Sequence, residues 1–374
     1  MIRPVAIELR ELRLPLREPF RISSGVCTER RIFLLHTRDA DGESVWSECV
    51  AGEQPNYGPE TIDTAWHAIT HWFAPRVLGR EIDDPREVHP LLSRNIRGHD
   101  MAKAAIEMGC WGLAAQVAGE PLATFLGGTR DRVPTGISIG IQDSPAALVD
   151  RARRALDDGY RKIKVKIQPG ADVEYVAATR DALGDGVHLM ADANSAYTLD
   201  DADHLARLDA FALLMIEQPL GRDDLRRHAA LQRRLRTPIC LDESITDVDR
   251  CEDMIAMKSG RIVNIKPGRV GGFGPSIAIH DLCMRSGIPV WCGGMLESGI
   301  GRAYNVALAS LPNFSLPGDL SPSARYWERD VVTPEWTMDA EGYVRVPLDR
   351  PGIGVDVDVG RVENLTVRRA VLRA

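Results

Sequence analysis

The sequence predicts an α/β fold: a (β/α) barrel preceded by an α+β unit of about 125 residues. Three observations lead there. The chain changes rhythm once, near residue 130, from mixed strand and helix stretches to a repeat of short apolar strand, polar loop and amphipathic helix. The repeat runs seven or eight times over about 185 residues, which suits a closed barrel better than an open doubly wound sheet. One ionisable residue then closes repeat after repeat at a nearly constant interval.

Composition sets the outer limits. A chain of 374 residues has room for one barrel and one further unit. Hydrophobic residues at 44% and charged residues at 26% exclude a disordered or fibrous chain. No run nears the ~18 uninterrupted apolar residues of a membrane span; the longest, Phe211 to Ile216, is strand-sized. Arg3, Glu8, Arg10, Glu11 and Arg13 stand where an export signal needs apolar residues, so a cytoplasmic protein is expected. A net charge of −7, of mixed sign, argues against nucleic acid or anionic membrane as the main partner. Seven scattered cysteines with no C-x-x-C pair fit a reducing compartment.

In the first unit, residues 1–127, strands are expected over Val5 to Leu14 and Arg31 to Arg38, flanking a loop at Pro19 to Gly25. A second loop, Cys49 to Pro59, is rich in turn formers. Helical patterns follow at Glu60 to Phe73 and Met101 to Val117. In the barrel, residues 128–319, strands are read at Pro134 to Ile141, Ile163 to Ile167, Val187 to Ala191, Leu213 to Ile216, Ile239 to Leu241, Ile262 to Ile265 and Pro289 to Cys292. A weaker eighth lies near Asn313 to Leu316. Helices of 10–15 residues intervene, among them one at Leu199 to Leu208. The tail, about 320–374, carries short strand-like pieces (Leu365 to Leu372 among them) and is expected to return and complete the first unit.

In a (β/α) barrel, chemistry sits at the C-terminal strand ends. Those positions hold Ser138, Lys164 and Lys166, Asp192 with Asn194, Glu217, Asp242 with Glu243, and Lys266. The steps are 26 residues from Lys166 to Asp192, 25 to Glu217, 25 to Asp242 and 24 to Lys266, so all share one rim. One such carboxylate could cap the next helix. Three on adjacent strands repel one another unless a cation lies between them. Oxygen donors without a nearby His or Cys favour a hard ion, Mg²⁺ over Zn²⁺, and do not separate Mg²⁺ from Mn²⁺ or Co²⁺. Lys164 and Lys162 could be a solvated pair, whereas Lys166 and Lys266 are embedded in apolar strands. A lysine desolvated beside a divalent ion has a depressed pKa and can act as a base. Two of them across a bound carboxylate could each reach one face of its α-carbon, giving proton transfer through an enediolate.

K-x-K at Lys164 to Lys166, the acids in DANSAY, IEQP and LDES, and NIKPGRVGG together resemble the muconate lactonising branch of the enolase superfamily. GGMLESGIGRAYN and PGDLSPSARYW are similar to its o-succinylbenzoate synthase / N-succinylamino acid racemase family. The resemblance covers nearly the whole chain. It implies a modified (β/α)₇β barrel with an α+β capping domain made from both chain ends, and a homo-oligomer. It also implies a divalent ion on Asp192, Glu217 and Asp242, Lys166 and Lys266 as the acid/base pair, and Ser138, Lys164, Asn194, Gly294, Met295 and Leu296 around a small carboxylate substrate.

Phe20 and Arg21 in the first cap loop, and Tyr57 in the second, are expected to close over the barrel mouth and exclude water. Relatives that epimerise dipeptides carry an Asp-x-Asp pair where this chain has Met295-Leu296-Glu297, so an N-acylated substrate is expected rather than a free amine. Glu243 and Arg269 are supporting candidates. Arg269 is either a surface residue or a group that tunes Lys266 electrostatically. Two activities compete: racemisation of N-succinylamino acids (more broadly N-acylamino acids) with both lysines as bases, and the syn dehydration to o-succinylbenzoate in menaquinone biosynthesis, with Lys166 as base and acid and Lys266 as a stabilising cation. A non-catalytic binding barrel has no need of opposed bases.

Overall fold

The first forty residues alternate apolar and polar side chains, and a chain with that period builds a sheet with one face buried. In the computed structural model, which describes residues 1–23 and 25–374, Pro4–Ile22 and Gly25–Asp39 pair antiparallel. Leu9, Leu12 and Leu14 are buried with Ile32, Phe33, Leu34 and Leu35. Ser44–Cys49 adds a third strand, and Thr366–Arg373 pairs antiparallel with the first, so the tail does return to this sheet.

The expected loop at Pro19 to Gly25 is a correction. Both strands run on through it, with Phe20 opposite Cys27, Arg21 opposite Val26 and Ile22 opposite Gly25. Pro15 and Pro19, which cannot donate to a ladder, fall at a register shift between Pro15 and Phe20. The hairpin tip reaches the barrel, where Ile141 N donates to Arg21 O at 2.9 Å.

The Glu60 to Phe73 pattern becomes an α-helix at Ile62–Ala68, capped by Thr61, which passes into a π-turn at Ile69–Phe73. Glu60 lies outside it and serves the next helix, Asp100–Ala118, by accepting from Met101 N at 2.8 Å and Ala102 N at 3.0 Å. Those are two of the orphan donors every helix start leaves.

Seven short strands form one curled parallel sheet in sequence order: Ile137–Ile139, Lys162–Lys166, His188–Asp192, Ile216–Glu217, Ile239–Leu241, Ile262–Ile265 and Val290–Cys292. Among the described residues no eighth strand forms at Asn313 to Leu316. Pro312 and Pro317 cannot donate to a ladder, so an irregular segment spans the gap. Gly318 bridges to Thr135, Gly136 N donates to Gly318 O at 2.7 Å, and Asp319 N to Cys292 O at 2.9 Å. The predicted helix at Leu199 to Leu208 is three short pieces, two of them 3₁₀. No helix among the described residues is long and apolar enough to cross a membrane.

Buried glutamates of the N-terminal region join it to the barrel. Glu107 accepts from Phe273 N at 2.7 Å and Gly274 N at 2.8 Å, at the start of helix Phe273–Arg285. Glu48 accepts from Ser298 N and Gly301 N, both at 3.1 Å, at the start of helix Gly299–Ala309. Carboxylates suit helix N-termini because several unpaired N–H groups and the positive end of the dipole converge there.

Candidate active site

Parallel pairing fixes which rim residues meet. Ser138 lies beside Lys164, Lys166 beside Asp192, and Asp192 beside Glu217. The inward positions of the second strand, two residues apart, are all lysines: Lys162, Lys164 and Lys166. Reading Lys162 and Lys164 as a solvated pair is corrected here. They are 0% and 3% exposed, stacked inside the barrel with Asp319 and over the Trp291 ring. A buried ammonium persists only when paired, and Asp319 supplies the pair from the segment that closes the barrel.

Above them a cavity of about 380 Å³ opens between barrel and hairpin. Lys166 and Lys266 both line it, with Asn194, Phe20, Tyr57, Gly294, Met295 and Leu296. Lys166 Nζ donates to Asp192 Oδ2 at 2.5 Å and to Asn194 Oδ1 at 2.7 Å. Lys266 Nζ donates to Asp242 Oδ2 at 2.8 Å and lies 4.6 Å from the centre of the Tyr57 ring. A Cβ on Gly293 would meet Asn264 Oδ1, and Lys266 Cε at 2.6 Å, so glycine there leaves both side chains their places.

Other candidates fall elsewhere. Arg21 turns away, paired with Asp143 at 3.1 Å, because its strand faces it outward. Ser138 is buried beside Lys164, and Lys164 lies beneath the cavity rather than on its wall. Arg269 is not a surface residue: it is 5% exposed and donates to Asp242 Oδ1, to Asn264 O at 2.5 Å and to Ile245 O at 2.8 Å. Tyr57 OH donates to the same Asp242 oxygen at 2.8 Å. Glu243 accepts from Asn194 Nδ2 at 3.2 Å.

Three supporting residues escaped the sequence reading. Gln218 accepts from Asp242 N at 3.1 Å and Ser244 N at 3.2 Å, Asn264 donates to Glu217 Oε1 at 2.8 Å, and Asp319 holds Lys162 and Lys164. Each lies in a motif already quoted (IEQP, NIKPG, PGDLS), but no spacing marks it as polar inside a core.

The acids do not yet close on one point. Among the described residues no three Asp, Glu, His or Cys side chains are grouped as a metal-holding set. The Lys164 ammonium stands 2.9 Å from Asp192 and 2.7 Å from Glu217, while Lys266 and Arg269 hold Asp242. The charge balance nevertheless fits a divalent ion. Burial and the Asp192 charge push Glu217 up to about 8, and burial with Asp242 and Asp192 pushes Glu243 up to about 7. Glu243 Oε2 is buried and makes no hydrogen bond, while Glu217 Oε2 faces the Lys164 ammonium at 2.7 Å. Carboxyls crowded by like charge are what a hard cation relieves.

For Lys266 the structure departs from the expected depressed pKa. Burial opposes its charge, but Asp242 and Tyr57 outweigh that and raise it. A cation sharing Asp242 would loosen this hold.

Two family signatures cover most of the chain. The mandelate racemase / muconate lactonizing enzyme N-terminal domain matches residues 5–127, and the enolase C-terminal domain-like signature matches residues 147–361. The chain is 50% identical to an o-succinylbenzoate synthase of Geobacillus stearothermophilus, over 96% of this chain and 94% of the relative. It is 48% identical to an N-succinylamino acid racemase of an Amycolatopsis species, over 93% and 94% respectively. Among solved structures, an enolase superfamily member from Listeria innocua matches the whole of both chains with a TM-score of 0.96 and 37% identity.

Proposed function

We propose that this chain, which belongs to the mandelate racemase / muconate lactonizing enzyme group of the enolase superfamily, is an N-succinylamino acid racemase. Enzymes of that group depend on a divalent metal ion. The observation that carries the reading is the pair of lysines lining one cavity, on the second strand and just past the sixth of a curled sheet, so that they approach from different sides.

In this mechanism Lys166 removes the α-proton of one enantiomer and Lys266 delivers a proton to the opposite face; for the other enantiomer the roles exchange. Asp192 and Asn194 steady the Lys166 ammonium, and Asp242 with the Tyr57 ring steadies that of Lys266. An ion held by Asp192, Glu217 and Asp242, Mg²⁺ by the chemistry of oxygen donors, would supply the countercharge that makes a carboxylate's α-proton removable. Phe20 and Tyr57 cover the cavity from the hairpin and the second loop and keep water from the reacting carbon. The working unit is residues 128–319, capped by residues 1–127 with the tail from about 320. Seven free cysteines support residence in a reducing cytoplasm.

A second reading, o-succinylbenzoate synthase, is supported equally by the 50% identical relative. The firmly held charge of Lys266 also suits its role there as a stabilising cation. The test is turnover of N-succinylamino acids against the cyclohexadiene carboxylate precursor, each with and without EDTA. Racemisation abolished by EDTA and restored by Mg²⁺ is expected. Consumption of the precursor alone would select the second reading, and inertness toward both would overturn each.

A further inference from the structure

Both proposed substrate classes carry a succinyl group, which places a second carboxylate away from the reacting carbon. Burying that charge without a counterpart is costly, so a site that selects for it should offer a cation not already engaged. Most candidates around the cavity are engaged. Lys166 and Lys266 are held by Asp192 and Asp242, and Arg31 by Glu11 at 2.8 Å and Asp63 at 3.1 Å. Arg30, whose buried Nε is also unpartnered, commits its Nη2 to the Val50 and Ala51 carbonyls.

Arg222 differs. It follows the fourth barrel strand, and its buried Nε makes no hydrogen bond. The carboxylate beside it, that of Asp223, is 3.5 Å away and 89% exposed, a contact that contributes little. Arg222 lines a side cavity of about 180 Å³ that shares Ile22, Asn56, Tyr57 and Asn194 with the main one. Asn194 is the partition: its Oδ1 accepts from Lys166 and its Nδ2 donates to Glu243 on the wall of the side cavity.

We propose that Arg222 holds the distal carboxylate of the succinyl group and so sets the preference for dicarboxylic acyl chains. The inference rests on the functional reading above. A guanidinium fits a carboxylate through two parallel hydrogen bonds. Asn56 and Ser195 add neutral polar groups beside it.

The test measures kcat and KM for N-succinylphenylalanine and for its N-butanoyl analogue, which lacks the distal charge, in the wild type, Arg222→Met and Arg222→Lys. Arg222→Met should raise KM for the succinyl substrate about tenfold or more, with kcat changed less than about twofold and the butanoyl substrate unaffected. Arg222→Lys should recover most of the loss. An equal effect on both acyl groups, or no effect on either, overturns the assignment. So does a gain confined to N-succinyllysine, which would mean that Arg222 senses the amino-acid side chain. A wild type inert toward N-succinylamino acids and the synthase precursor alike overturns the functional reading and this proposal with it, whereas turnover indifferent to Arg222 overturns the proposal alone.

Discussion

The two sides of the cavity are built differently. Lys166 has two acceptors, Asp192 and Asn194, both from the neighbouring repeat, and the N-terminal region touches this side through Ser23 Oγ, 3.4 Å from Asn194 O. Around Lys266 a single carboxylate, Asp242, is shared among Lys266, Tyr57 and Arg269. The helix beyond, Phe273–Arg285, is tied down by Glu107. Two groups proposed for mirror-image chemistry thus do not have mirror-image surroundings. Asp242 is shared among three donors, and by the proposal above Arg269 would act on the base through the carboxylate between them.

Removing each lysine gives the largest expected effect. Lys166→Ala should end racemisation and dehydration alike, a loss of roughly 10² to 10⁴ in kcat. Lys266→Ala should match that loss for racemisation, followed by polarimetry, and lose less in dehydration, followed by absorbance. Equal losses in both assays would erase the asymmetry.

Arg269→Met comes next. Without that guanidinium more of the Asp242 charge falls on Lys266 and raises its pKa further, which leaves less of it neutral and able to take a proton. Racemisation should fall about tenfold, the worth of one charged hydrogen bond, with dehydration within about twofold. A parallel fall in both rates would show that Arg269 only supports the fold.

The smallest effect concerns the fastening of the Lys266 side. Burial pushes Glu107 up to about 7 and Glu48, which accepts at the start of helix Gly299–Ala309, up to about 8. Each carboxyl therefore takes up a proton more readily folded than unfolded. The stability this contributes is complete below about pH 4.5 and is lost as pH rises toward 7 and 8. Melting temperature should fall between about pH 5 and pH 8, and Glu107→Gln should flatten that fall by a few degrees. An unchanged slope would place Glu107 outside the titration.

The barrel and its rim were legible because strand–helix repeats carry a fixed period, and Lys166, Asp192, Glu217, Asp242 and Lys266 sit on it. Features depending on distant partners were not. Lys162 reads as a surface charge until Asp319, 157 residues later, is folded against it. Arg269 looks like a loop arginine until Asp242 and Tyr57 close on it. Pro19 to Gly25 reads as a loop between two strands, yet the hairpin runs on through it and shifts register between Pro15 and Phe20. The expected eighth strand at Asn313 to Leu316 does not form, since Pro312 and Pro317 on either side of it cannot donate to a ladder.

The central claim is that two lysines serve opposite faces of one α-carbon. Incubating each enantiomer of an N-succinylamino acid in D₂O with Lys166→Ala and with Lys266→Ala, and following the α-proton by NMR, tests it most directly. Each variant should exchange the α-proton of one enantiomer only, a different one for each variant, with no racemisation. Exchange of the same enantiomer by both variants, or racemisation by either at the parental rate, would contradict the account.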